Sequence, residues 1–248
     1  MTTDLPYEGE WSFASKRKFD ATVIFVHHFG GSKRSLLRHA RLLNELGFDC
    51  VRFNLKYNMT QAPKSLSLLG DFKLGLRRIW ADQIQDILNL VPGPKILFSF
   101  SMPGAAAVEA IARRNAHQIM GFICDSGPFL QITEATWKLY KFAYKIENPL
   151  LRAFYTALSF SMWGINFKSE IKSYFKSFPK QFRILSIRSG ADRLVALSAI
   201  DAFFALANNC NIEVLNIANA DHLEGLKNYS QVYVSNLNVF LESLFLKA

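Results

Sequence analysis

Short apolar runs recur along the chain, and the segments between them carry apolar residues at helical spacing. Each run is rich in β-branched residues, as expected of strands that are buried on both faces. Strands that alternate with helices are typical of a mostly parallel sheet covered by helices on both faces, so the pattern predicts the α/β class. The predicted strands are Thr22–His27, Cys50–Asn54, Ile96–Phe100, Ile119–Cys124, Arg183–Arg188 and Ile212–Ile217.

Five helices are predicted from the segments between and after these strands. In the first helix the apolar residues repeat every three to four positions, and Gly47 follows at the position of a C-cap. In the second, the prolines Pro92 and Pro94 stop the helical pattern. The predicted helices are Lys33–Leu46, Gly75–Leu90, Pro103–Ala116, Ala196–Asn208 and Tyr229–Leu246.

The regular alternation is interrupted once, between residues 126 and 181. This span is rich in aromatic residues with lysines scattered among them, and Pro149 divides it. A structureless loop of this length would be unusual in a compact domain, so we expect two or three amphipathic helices. The predicted organisation is a core formed by residues 1–125 and 182–248, with residues 126–181 inserted as a helical cap.

Composition and charge restrict the kinds of partner that the protein could bind. Half of the 248 residues are hydrophobic, so the chain can bury a sizeable core. A net charge of +9 favours anionic surroundings, such as an acidic substrate, a phospholipid headgroup layer or a nucleic acid. The basic clusters are short and lack the interleaved aromatic residues of an RNA-binding sheet. We therefore expect no nucleic-acid partner, whereas peripheral contact with an anionic membrane stays open.

The cysteines and the first residues bear on the compartment. Cys50, Cys124 and Cys210 are widely spaced and include no CxxC pair, so we expect reduced thiols in the core. The first thirteen residues contain three acids and a proline, where a Sec-type signal has a basic start and an apolar run. We also expect no transmembrane helix, because the uncharged stretch in the cap is too short to span a bilayer. These features predict a cytoplasmic protein.

Candidate chemistry begins where the third predicted strand ends, in the stretch FSFSMPGAAA. Ser101 follows the strand directly, and the small residues Gly104 to Ala107 open a helix. A sharp strand-to-helix turn of this kind exposes a serine hydroxyl as a nucleophile, whereas the simplest alternative is a serine that only caps a helix. The stretch resembles the nucleophile elbow of the α/β-hydrolase family, G-x-S-x-G, with Ser99 and Pro103 in place of its two glycines.

A serine nucleophile needs a histidine base and an orienting acid. In α/β-hydrolases these follow the serine in the order acid, then histidine, and the chain supplies Asp192 and His222 in that order. Both come just after predicted strands, at the edge where parallel sheets bind ligands. Asp125 is an alternative acid, because it also follows a predicted strand and some relatives carry the acid there.

The resemblance also implies an oxyanion hole. The sequence VHHFGG after the first predicted strand is similar to the family's His-Gly-x turn, with His28 at the usual glycine. By this alignment the backbone N–H groups of Phe29 and Met102 would bind the oxyanion. His27 and His28 should point to opposite faces and so should not bind one ion, and no carboxylate or cysteine cluster accompanies them. We expect neither a metal nor another cofactor.

The resemblance implies a serine hydrolase that cleaves a carboxylic ester or thioester through an acyl-enzyme. The aromatic cap favours a substrate with an apolar acyl chain, either a small molecule or a lipid-like one. Two other functions stay open. The missing elbow glycines and His28 are compatible with a catalytically silent binding or scaffold protein, and the basic, aromatic cap is compatible with a peripheral membrane protein that binds lipid.

Overall fold

The computed structural model of the protein describes residues 4–56, 75–163 and 166–246. Residues 57–74 of the predicted core, and residues 164 and 165 of the predicted cap, lie outside the described residues. Seven strands form a single sheet in the order β1-β3-β2-β4-β5-β6-β7. The strands are β1 (Glu10–Ser12), β2 (Thr22–Val26), β3 (Asp49–Arg52), β4 (Lys95–Phe100), β5 (Ile119–Asp125), β6 (Phe182–Ser189) and β7 (Cys210–Ile217).

All six predicted strands are present, and they pair in parallel from β3 to β7. The sequence pattern missed β1, which pairs antiparallel with β3 at the edge of the sheet. This strand has only three residues and one large apolar side chain, Trp11, so it leaves no clear alternation in the sequence. The observed sheet is of the predicted α/β class.

Nine helices are described, together with a 3₁₀ turn at Lys33–Leu36 that forms the start of the first predicted helix. The third predicted helix ends early, because Asn115 and Ala116 adopt left-handed backbone conformations. Gly47 is also left-handed, with φ of 104°, and caps α1 as expected. The helices are α1 (Leu37–Leu46), α2 (Leu76–Leu90), α3 (Gly104–Arg113), α4 (Ile132–Phe142), α5 (Pro149–Trp163), α6 (Phe167–Lys176), α7 (Leu197–Phe204), α8 (Gly225–Asn228) and α9 (Ser230–Ser243).

Helices cover both faces of the sheet. Helices α2, α3, α6 and α7 contribute to the core on one face, and α1, α8 and α9 contribute to the core on the other. Between β5 and β6 the chain forms α4, α5 and α6, and α6 packs beside α3. Within the described ranges, no helix combines the length and the apolarity needed to cross a bilayer.

Candidate active site

The turn after β4 holds Ser101 in a strained conformation. Its φ of 57° lies in the left-handed region, which is uncommon for residues other than glycine, and its backbone N–H donates to the carbonyl of Asp125. Helix α3 begins three residues later, after Pro103 as its N-cap residue. The strand-to-helix geometry is therefore that of a nucleophile elbow.

Two glycines outside the G-x-S-x-G positions make room for this turn. A Cβ at Gly104 would lie 2.8 Å from Oγ of Ser99, and a Cβ at Gly127 would lie 2.7 Å from the carbonyl carbon of Ser101. The turn thus tolerates Ser99 in place of a glycine because Gly104 has no side chain.

Ser101, His222 and Asp192 form one hydrogen-bonded chain at the carboxyl edge of the sheet. Nε2 of His222 lies 3.1 Å from Oγ of Ser101, and its Nδ1 lies 2.6 Å from Oδ2 of Asp192. Because a carboxylate accepts, Nδ1 carries the proton and Nε2 presents its lone pair to the serine hydroxyl. This tautomer is the one that a general base requires.

Asp192 is fixed by the turn that carries it. Its Oδ1 accepts from the backbone N–H groups of Leu194 and Val195, while Oδ2 faces His222. Its side chain is only 2% exposed, so these contacts replace water around the carboxylate. The carboxylate is therefore held in the orientation that the imidazole needs.

Asp221 joins the loop of His222 to the loop of Asp192. Its Oδ1 accepts from the N–H groups of His222 and Arg193, and its Oδ2 accepts from Nε of Arg193. Burial alone would raise the pKa of Asp221, but these donors and the guanidinium charge hold it below its usual value. Asp221 thus supports the two loops, and none of the hydrogen bonds described for its carboxylate goes to the imidazole ring.

Asp125, the alternative acid, has no hydrogen bond to His222 among the described contacts. Its oxygens accept from the hydroxyls of Ser126, at 2.9 Å, and Tyr233, at 2.8 Å. Burial raises the pKa of Asp125, and these two donors act against that rise. Oγ of Ser126 also accepts from the N–H of Leu223, next to His222. The structure therefore places Asp125 beneath the site, where it supports the loop of His222.

The turn after β2 positions Phe29 through His27. Nε2 of His27 accepts from the N–H of Leu55, so Nδ1 carries the proton and donates to the carbonyl of His28. The peptide unit that joins His28 to Phe29 is planar and trans, so its N–H points away from this carbonyl. A buried histidine at the end of a strand thereby fixes the direction of the Phe29 N–H.

His28 is bound to the same turn and faces the site. Its Nδ1 donates to the carbonyl of Phe29, and a Cβ at Gly31 would lie 2.7 Å from its Nε2. Burial lowers the pKa of His28, and the neighbouring His222 acts in the same direction. Gly31, rather than a glycine at position 28, therefore provides the space that the His28 ring occupies in this turn.

A cavity of about 330 Å³ adjoins Ser101 and His222. Phe29 and Met102, the predicted oxyanion residues, also line it. Much of its wall comes from α4, and apolar side chains dominate it, among them Phe129, Ile132, Leu139, Leu194 and Leu223. Its volume is at the small end of the range for ligand sites in proteins.

A pair of hydroxyls marks the side of the cavity formed by the two helices α4 and α5. The hydroxyls of Tyr140 and Ser159 are 2.8 Å apart, and both residues line the cavity. Sequence reasoning missed this pair, as it missed Tyr233 under Asp125, because lone hydroxyl residues in helices give no spacing signal. Among the described residues, no group of His, Cys, Asp or Glu side chains is arranged to hold a metal ion.

Comparison with known proteins gives similarity at the level of structure. No protein-family model matches the sequence, and no curated protein matches it. An esterase of Pyrococcus furiosus superposes with a TM-score of 0.68 at 17% identity, covering 95% of this chain and 85% of the esterase. A hydrolase of Oleispira antarctica superposes with a TM-score of 0.63 at 13% identity, covering 96% of each chain.

A bacterial membrane phospholipase A is also similar, with a TM-score of 0.60 at 13% identity over 95% of this chain and 86% of the phospholipase. At identities of 13 to 17%, the similarity shows the fold alone. The superpositions point to the same fold as the sheet order and the turn after β4: the chain has the α/β-hydrolase fold.

Proposed function

We propose that the protein is a serine hydrolase that cleaves a carboxylic ester or thioester through an acyl-enzyme. The observation that carries the proposal is the hydrogen-bonded chain from Ser101 through His222 to Asp192, beside a largely apolar cavity. Single members of such a set occur by chance in many folds, but the full set with a fixed tautomer is what nucleophilic catalysis requires. The similar esterase and hydrolases add support from the fold.

In the first step, Nε2 of His222 removes the proton of the Ser101 hydroxyl while Oγ bonds to the carbonyl carbon of the substrate. The carbonyl π electrons move to oxygen, and the N–H groups of Phe29 and Met102 bind the resulting oxyanion. The tetrahedral intermediate then collapses, the bond to the leaving oxygen or sulfur breaks, and His222 gives its proton to that leaving group.

In the second step, water attacks the acyl-enzyme. Nε2 of His222 takes a proton from the water while the water oxygen bonds to the acyl carbon. When the second tetrahedral intermediate collapses, the bond between Oγ of Ser101 and the acyl carbon breaks, and His222 returns the proton to Oγ. The product is a free carboxylic acid, and the enzyme is restored. Asp192 stabilises the imidazolium in both steps and does not itself take the proton.

The cavity suggests the substrate class. Its apolar wall favours an acyl group without charge, and its volume of about 330 Å³ favours a short or medium chain over a long one. The substrate is accordingly a small ester or thioester, or a lipid-like molecule whose short acyl chain enters the cavity.

A chain-length series of nitrophenyl esters and acyl thioesters tests the proposal. Ala135 lines the cavity, whereas Ala153 lies on the exposed side of α5, so Ala135→Phe fills the cavity and Ala153→Phe is the matched control. We expect wild type and the control to share one chain-length optimum, and Ala135→Phe to shift it toward shorter chains. If folded wild-type protein turns over no ester and no thioester, the protein is a silent binding module and the proposal is wrong.

A further inference from the structure

Helix α5 buries its polar side and exposes its apolar side. Over residues 149–159 of this helix, the buried positions Arg152, Thr156 and Ser159 are polar. The positions of the same range that face solvent are apolar, with Leu150 80% exposed. Along a helix, residues four apart share a face, so the exposed side chains form one continuous strip. We name this strip the outer face of α5; its large members are Leu150, Leu151, Phe154 and Leu158.

The polar side of α5 has defined contacts with the rest of the chain. The guanidinium of Arg152 lies 4.2 Å from the centre of the Trp137 ring, and Oγ of Ser159 lies 2.8 Å from the hydroxyl of Tyr140. At the start of the helix, the side chain of Asn148 accepts from the N–H groups of the second and third residues of α5. These contacts fix the rotation of α5, so the outer face is turned outward by specific interactions.

The next helix has the opposite and more usual arrangement. Helix α6 buries apolar side chains such as Phe167 and Phe175 and exposes Lys168, Lys172 and Lys176. Monomeric proteins seldom expose a continuous apolar strip, and strips with polar rims mark interaction sites. The reversed helix therefore points to an interaction site on its outer face.

Two exposed, positively charged side chains come shortly before α5 in the chain. Lys141 and Lys145 lie just before α5 in the chain, both are exposed, and neither forms an ion pair within the described residues. The exposed Glu147 is the one acidic residue between α4 and α5, and Lys138 is neutralised by Glu134. A helix with an apolar strip and nearby lysines is suited to the interface of an anionic bilayer.

We propose that the outer face of α5, with Lys141 and Lys145, docks on the surface of an anionic phospholipid bilayer. Apolar side chains such as Phe154 would enter the boundary between headgroups and acyl chains while the lysines contact acidic headgroups. A second copy of the chain is a poorer occupant than an acidic surface, because two chains that each carry a net charge of +9 repel each other. This proposal concerns binding and does not depend on the reaction proposed above.

Co-sedimentation with vesicles tests the proposal, using the Ser101→Ala background so that binding is measured without hydrolysis. The vesicles contain phosphatidylcholine with about one third phosphatidylserine, or phosphatidylcholine alone. Phe154→Ser removes an apolar side chain that is 62% exposed, and Val239→Ser on α9 is its control with the same exposed fraction. Lys141→Glu with Lys145→Glu is compared with the same charge change at two other exposed lysines, Lys16→Glu with Lys18→Glu.

We expect binding to the acidic vesicles, weakened at least about tenfold by Phe154→Ser. We expect about a fivefold loss for each unit of charge changed at 141 and 145, which is two units for each Lys→Glu substitution, and little change in either control. No binding, binding that is indifferent to phosphatidylserine, or equal losses in the controls would overturn the proposal. A dimer in sedimentation that Phe154→Ser dissociates would also overturn it, because a second copy would then cover this face.

Discussion

The carboxyl edge of the sheet and helix α5 differ in which kind of side chain they bury. At the sheet edge, polar groups are buried and bound to one another, as Ser126 shows by contacting Asp125, Ser189 and Leu223. On α5, apolar side chains such as Phe154 face solvent. At the sheet edge the polar groups have their hydrogen-bond partners within the chain, so a substitution there should lower kcat or the free energy of unfolding. A substitution on the outer face of α5 should lower neither.

The largest expected effect is at the sheet edge and distinguishes the two acids. Asp192→Asn should lower kcat about 10⁴-fold, because an amide stabilises the wrong tautomer of His222. Asp125→Asn should leave kcat within about tenfold, because Asp125 contacts Tyr233 and Ser126 and not the imidazole. Its cost should instead be about 1 to 3 kcal/mol in the free energy of unfolding.

Steady-state kinetics and urea unfolding of both variants check this pair. If Asp125→Asn abolishes turnover while Asp192→Asn changes kcat little, Asp125 and not Asp192 is the acid that orients His222.

A pair of phenylalanines compares a covered helix with the outer face of α5. Phe175 on α6 is fully buried, so Phe175→Ala should lower the free energy of unfolding by about 3 to 5 kcal/mol. Phe154 on α5 is exposed, so Phe154→Ala should change it by no more than about 0.5 kcal/mol. Denaturant melts of the two variants measure both values; a large loss from Phe154→Ala would show that the outer face is covered within this chain.

An effect smaller than that of Phe175→Ala is the pH dependence of stability at the sheet edge. Burial lowers the pKa of His27 to about 4, against 6.5 for an unperturbed histidine. Between these pH values the unfolded chain binds a proton that the folded chain does not, so the free energy of unfolding falls as the pH falls. The expected loss from His27 is about 3 kcal/mol, complete near pH 4.

The free energy of unfolding of wild type and His27→Gln, measured between pH 7 and about 4, isolates the contribution of His27. The variant should be less stable at neutral pH, because it loses the bonds to Leu55 and His28, but its stability should fall less between pH 6.5 and 4. Burial also lowers the pKa of His39, to about 3, so part of the acid loss should remain. Parallel curves for wild type and His27→Gln would contradict the assignment of a buried, neutral His27.

Much of the sheet could be predicted, because strands buried on both faces leave short apolar runs that need no other information. Ser101, Asp192 and His222 were predicted from the resemblance to α/β-hydrolases, in which these residue types occur in this order, and from the rule that strand ends meet at one edge. Their hydrogen bonds, and the bonds that occupy Asp125, depend on which loops meet in space. Residues so distant in the chain leave no spacing pattern for these contacts.

The reversed orientation of α5 could not be predicted for a different reason. The sequence shows an apolar strip and a polar strip on this helix, but periodicity does not say which strip faces the core. Contacts such as that of Arg152 with Trp137 decide the rotation, and they appear only once α4 and α5 pack together. The role of His27 was likewise hidden, because its partner Leu55 is distant in the chain.

The most direct test of the central claim is the reaction of the folded protein with a fluorophosphonate, followed by peptide mass spectrometry. We expect a single phosphonyl group on Oγ of Ser101, no labelling of Ser101→Ala, and much slower labelling of His222→Gln, which lacks the base. Folded wild-type protein that stays unlabelled, or Ser101→Ala protein that labels as fast as wild type, would contradict the claim that Ser101 is the nucleophile.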